Sequence, residues 1–173
     1  MDLLETLKNR YSCRKYKENP PNRDVIEKIL EAARIAPSAA NKQPYRLIVV
    51  TAPTTRKALF AAYERDWFCA APVIIVACGL PAESYRRAWD GQKYTWVDIG
   101  IALDHVTLAA TAMGLATCWI GAFKKEIVKD VLGIPEEVEV VAMMSLGFPD
   151  DANPRRPRKD LSQLLLWEKW KLE

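Results

Sequence analysis

The stretch Cys69-Ala70-Ala71-Pro72-Val73-Ile74-Ile75-Val76-Ala77-Cys78-Gly79-Leu80 decides the fold class. Pro72 breaks any helix running in from Cys69, and the β-branched run at 73–77 lacks polar alternation, the pattern of a strand buried on both faces. The whole stretch falls short of the roughly 20 residues that a membrane-spanning helix needs. A strand of this kind requires apolar cover on each side, and the flanking sequence offers helices to provide it.

Upstream, residues 2–8 place Leu3, Leu4 and Leu7 on one helical face with Asp2 as a candidate N-cap. Asn22 can cap a second helix, whose stripe of Val25, Ile26, Ile29, Leu30 and Ala33 ends near Ile35. Pro37 disfavours the α conformation at Ala36, so 37–44 (PSAANKQP) reads as a loop launching a strand at 45–51, and a further helix is expected at 54–63. Downstream, 80–94 reads as a mobile, partly helical cover. Residues 96–113 are apolar around most of their circumference and read as a central buried helix, with Gly114 as its C′ residue and Asp98, Asp104, His105, Thr107 and Thr111 as polar exceptions. Strands at 115–120 and 138–146 and a surface helix at 124–132 complete an α+β reading, with one domain over 1–173 and no repeat or linker.

Lys and Arg number 25 against 22 Asp and Glu, a net charge of +3 that points to neither nucleic acid nor membrane as a partner. The start MDLLETLKNR has acids and no apolar core segment, so it does not read as a signal peptide, and the expected compartment is the cytoplasm. The cysteines at 13, 69, 78 and 118 form no C-x-x-C pair, and His105 is the sole histidine, so no metal site is expected. On its apolar helix His105 reads as a buried, hydrogen-bonded residue or as an interface residue, ahead of a catalytic base. Cys118 reads as a core thiol, since no cation or histidine is close in sequence. No two of the seven glycines lie close enough to build a phosphate loop, so side chains would have to hold any phosphate.

Three segments carry more polarity than packing explains. Arg10, Ser12 and Arg14 alternate, so an extended chain would project all three from one face, a face able to hold an anion or simply a solvated turn. Ser38, Asn41 and Gln43 stand among small residues in the 37–44 loop and offer hydroxyl and amide groups. Arg155, Arg156, Arg158 and Lys159 crowd four cations into five residues, which is also how a solvated charge run looks.

In order, R-x-S-x-R near the N-terminus, A-P-S-x-x-N-x-Q-P after an amphipathic helix, A-P-V-I-I-V, G-L-A-T-C-W-I-G and a basic R-x-R after G-F-P resemble the FMN-dependent nitroreductase family over nearly the whole chain. The resemblance implies a central mixed or antiparallel sheet flanked by helices in a domain-exchanged homodimer, with FMN in sites shared between subunits. It implies that Arg10, Tyr11, Ser12 and Arg14 hold the flavin from one subunit, with Arg14 near the pyrimidine edge, and that Arg156 and Arg158 complete a phosphate clamp. Pro37, Ser38, Ala39, Asn41 and Gln43 would come from the other subunit. Backbone around Ile120, Gly121 and Ala122 would face the ring near N5.

Guanidinium groups suit this division, because a phosphate without a glycine nest needs planar, bidentate donors. A fixed cation at the pyrimidine edge would also raise the flavin's two-electron potential. The implied reaction is ping-pong transfer of hydride from NADH or NADPH to a nitroaromatic or quinone acceptor. Tyr63, Trp67, Phe68, Tyr85, Trp89, Tyr94 and Trp96 would supply an aromatic cover of which two or three reach substrate. Tyr45 stands where many relatives have Trp, and Ala39 and Ala40 replace common glycines. A flavin store or sensor without turnover, and a small RNA-binding protein acting through 155–159, are the rival readings; a pI near 8.6 and the lack of a stacking motif count against the second.

Overall fold

The computed structural model describes residues 2–170. The 73–77 run sits inside β2 (Val73–Gly79), and every residue of that strand is buried. Its neighbours are β1 (Tyr45–Val50) and β4 (Glu139–Gly147), and β3 (Ala116–Ile120) pairs with the far side of β4, giving the order β1-β2-β4-β3. All three pairings are antiparallel. The sheet is therefore antiparallel rather than mixed, and the parallel contact among the described residues is an isolated bridge between Ser12 and Thr117.

Alternation along β2 explains why it lacks polar residues. Val73, Ile75 and Ala77 face a core shared with Ile29, Ile99 and Leu103, whereas Ile74, Val76 and Cys78 face a second core with Leu59, Phe68 and Val128. The first layer is formed by α2 (Arg23–Arg34) and α5 (Thr95–Ala112), the second by α3 (Pro53–Ala58), α4 (Asp66–Ala70) and α6 (Lys125–Leu132). The caps behave as the sequence suggests. Asp2 accepts from the Glu5 amide at the start of α1 (Leu3–Asn9), and Asn22 accepts from the Val25 amide at the start of α2. Gly114, at φ 78°, follows α5 in the left-handed region that a residue with Cβ avoids.

Two expected elements differ. The helix at 54–63 is α3 followed by a 3₁₀ turn, Leu59–Ala62, and α4 was not expected because it is only five residues long. The segment 80–94 is not helical. Arg86 bridges Lys93 in antiparallel fashion, Arg87 donates its amide to the Gln92 carbonyl and accepts at its own carbonyl from the Gly91 amide, and the Arg87 side chain pairs with Asp90 across the turn. A closed turn of this kind satisfies its own backbone without helical periodicity.

Candidate functional site

Residues 10–16 run beside the outer edge of β3, where the Cys13 amide donates to the Thr117 carbonyl at 3.0 Å. The opposite flank is stitched to the chain that follows β4. Tyr11 donates its hydroxyl to Asp151 Oδ1 at 2.5 Å, the Cys13 thiol reaches the same oxygen at 3.2 Å, and Lys15 pairs with Asp150 at 2.9 Å. Asn153 Nδ2 adds a bond to the Asn9 carbonyl at 3.0 Å. With the odd-numbered side chains spent on this seam, Arg10, Ser12 and Arg14 are left for the other face, as strand alternation requires.

The seam also turns the chain after Asn153 back across α1. The result is a cleft of about 950 Å³ lined by Arg10, Tyr11, Ser12 and Arg14 from one end of the sequence and Arg155, Arg156 and Arg158 from the other. Lys8 adds a cation, and Glu5 is the one carboxylate in the lining. This donor set, rich in guanidinium and poor in acid, fits a ligand with an anionic tail, and the volume suits a cofactor-sized molecule. The apolar wall comes from Leu4 and Leu7 of α1, and Asn153 and Pro154 form part of the rim; sequence reading missed all four. The leucine face of α1 was the only signal for Leu4 and Leu7, and nothing in the sequence marked Asn153 and Pro154.

Arg14 is held at the cleft by two neighbours. Its guanidinium carbon stands 5.8 Å from the centroid of the Trp67 ring, a cation–π contact. Burial pushes the Cys118 thiol up, and Arg14, Ser12 and Arg10 beside its sulfur partly oppose that rise. Cys118 therefore has cations close in space that its sequence neighbours do not reveal, yet it remains a protonated, buried thiol.

The other site residues expected from the sequence lie elsewhere. Pro37, Ser38, Ala39, Asn41 and Gln43 do not line the cleft; they form a tight loop whose Ala39 amide donates to buried Asp98 of α5 at 2.9 Å. Ile120 is buried, its side chain packed in the core with Val128 and Met143, while Gly121 and Ala122 are exposed just beyond β3. His105 is half-buried, without the side-chain hydrogen bond expected of a core histidine among the described residues. Of the aromatic cover, Tyr63, Trp67 and buried Phe68 form one edge-to-face cluster, Tyr85 meets Tyr94 in another, and Trp89 is exposed. Trp96 donates its indole N–H to Glu139 and lies under Lys125. Among the described residues, no cluster of His, Cys, Asp and Glu could hold a metal ion, and no helix is long and apolar enough to cross a membrane.

The model for the family described as Nitroreductase family matches residues 7–64 and 53–148. The chain belongs to that family. It is 34% identical over 156 residues to a protein of Archaeoglobus fulgidus provisionally named an NADH dehydrogenase/NAD(P)H nitroreductase, covering 87% of each chain. A Bacillus subtilis protein named FMN reductase [NAD(P)H] is 27% identical, over 91% of this chain and 70% of its own. The crystal structure of a nitroreductase family protein from Clostridium difficile superposes with a TM-score of 0.88 at 32% identity, over 98% of this chain and 99% of that one. These relatives are oxidoreductases by name, and this member of the nitroreductase family is an oxidoreductase with the family's α+β fold.

Proposed function

We propose that this nitroreductase family member binds FMN and passes hydride from NADH or NADPH to a flat acceptor of the nitroaromatic or quinone class, by a ping-pong mechanism. The observation that carries this reading is the meeting of Arg10, Ser12 and Arg14 with Arg156 and Arg158 around one cleft, from positions about 145 residues apart in sequence. The chemistry that FMN supplies when bound is reversible hydride transfer at N5. Arg156 and Arg158, exposed at the cleft's outer arm, would grip the phosphate; Arg10 and Ser12 would hold the ribityl end. Arg14, fixed against Trp67, would set its charge at the pyrimidine edge.

The active form in this reading is a homodimer, with Pro37, Ser38, Ala39, Asn41 and Gln43 of one copy completing the site of the other, alongside backbone near Gly121 and Ala122. Exposed apolar side chains on α1 and along the C-terminal arm support it: Leu3, Leu4, Leu161, Leu164, Trp167 and Trp170 are all at least 66% exposed. That much apolar surface on a chain of this size fits a subunit contact. One domain over 1–173 and a cytoplasmic location, where both nicotinamide donors circulate, belong to the same proposal.

The test is direct. The purified protein should be a dimer by light scattering and yellow, with the visible spectrum of oxidised flavin. NADH or NADPH should bleach that colour in stopped flow faster than either reduces free FMN. A coloured protein that neither donor reduces would instead be a flavin store or sensor, and a colourless protein that does not take up added FMN would end the reading.

A further inference from the structure

We infer that Asp98 is a positioning residue: from the buried start of α5 it latches the 38–43 loop in the one shape that can meet a flavin ring. The inference rests on the functional reading above for its consequence, though not for its geometry.

The loop is under backbone strain. Ala40, Asn41 and Gln43 have φ of 50°, 54° and 48°, the left-handed region, and only Asn41 is of a type that enters it readily. Local bonds close the turn: the Gln43 amide donates to Ser38 Oγ at 3.0 Å, the Asn41 amide to the Ser38 carbonyl at 2.9 Å, and the Gln43 side-chain amide to the Asn41 carbonyl at 2.9 Å. These bonds shape the loop but anchor it to nothing. The Tyr45 amide at the start of β1 donates to the Gln43 carbonyl at 2.8 Å where the loop runs on into the strand; among the described residues, the hydrogen bond that joins 38–43 to an element distant in sequence is the one from the Ala39 amide to Asp98 Oδ1, at 2.9 Å.

A carboxylate is a costly way to supply that acceptor. Asp98 is 1% exposed, no cation pairs with it among the described residues, and its Oδ2 is buried without a hydrogen-bond partner there. The positive end of an 18-residue helix offsets part of the cost, since Asp98 lies in the first turn of α5. The remainder is balanced by a charge-assisted bond, stronger than a neutral one, to a loop that would otherwise relax out of its left-handed conformation.

Three variants test the latch in the full-length, FMN-loaded protein. Asp98→Ala removes the acceptor; Ala39→Pro removes the donor while leaving Asp98 in place; Asp98→Asn keeps an acceptor oxygen at nearly the same position. The first two should speed amide exchange at 40–43 by about tenfold or more relative to the amides of β2, and lower kcat/KM by a similar factor. Asp98→Asn should restore both to within about threefold of wild type. Ala39→Pro lies in an exposed loop, so it reports even where Asp98→Ala folds poorly. Unchanged exchange at 40–43 in both disrupting variants, or an Asn variant as impaired as the Ala variant, would overturn the latch. If wild-type protein proves unable to bind FMN, the functional reading falls while the exchange comparison still decides the latch.

Discussion

The Tyr11 hydroxyl and Asp151 Oδ1 lie 2.5 Å apart across 140 residues of sequence, and Cys13 Sγ shares the same oxygen at 3.2 Å. One carboxylate thereby ties down two alternate residues of an extended segment, and the residues between and beside them, Arg10, Ser12 and Arg14, are turned to the cleft. Burial first, and the bond to Asp151 second, push the Tyr11 phenol well above its ordinary range, so it stays a donor at any physiological pH.

Asp151→Ala should therefore weaken FMN binding although Asp151 touches no ligand in the proposed site. The expected rise in Kd is about tenfold, the worth of a charge-assisted bond that aligns the arginines. Flavin fluorescence titration measures it, and an unchanged Kd would show that the seam does not organise the cleft.

Arg158→Ala should raise the FMN Kd by about 10- to 100-fold, because one phosphate contact of that kind is worth roughly 1.5–3 kcal/mol. Binding should also weaken with salt in wild type and less steeply in the variant. A variant with wild-type affinity would remove Arg158 from the clamp.

Arg14→Gln should lower the flavin midpoint potential more than it weakens binding, since a charge at the ring's edge acts on the reduced, more anionic form. Spectroelectrochemical titration of both proteins decides this. Equal potentials would leave Arg14 with its Trp67 contact and no electrostatic role.

The buried thiols predict a loss of stability on the alkaline side. Burial pushes Cys78 from 9.0 up to about 11, and Cys13 likewise to about 11. The folded state then holds protons that the unfolded chain releases, so stability is full below pH 9 and declines as pH rises from about 9 to about 11. Melting temperatures for wild type and Cys78→Ala should converge across that interval, and parallel curves would refute the assignment.

Gly147→Ala should cost about 1–3 kcal/mol by overpacking. A Cβ there would stand 2.7 Å and 2.8 Å from two carbons of the Pro72 ring and 3.0 Å from Tyr16, and a proline ring has little room to yield. Urea denaturation checks it; a variant as stable as wild type would mean that Pro72 and the start of β2 shift freely.

Much of the fold was legible because it rests on local chemistry. The caps at Asp2 and Asn22, the stripe of α2, the doubly buried β2 and the Gly114 stop each depend on residues within a turn or two of one another. Short elements were not legible. The five residues of α4 leave no room for a period, and the 80–94 turn is built from side-chain bonds such as Arg87 with Asp90 that no hydropathy pattern records. The half-buried position of His105 was not legible either, since it is set by how α5 packs against α2 and the sheet.

What the sequence determined by itself was the longer helices and the strands, the absence of a glycine phosphate loop and the cationic segments that could replace one, since these follow from residue type and near-neighbour spacing. Only the tertiary structure decided the antiparallel order β1-β2-β4-β3, the seam that joins Tyr11 to Asp151, and the bond from Ala39 to Asp98. The reason is physical: each links groups far apart in the chain, and their meeting depends on how whole layers pack rather than on any residue's own preference.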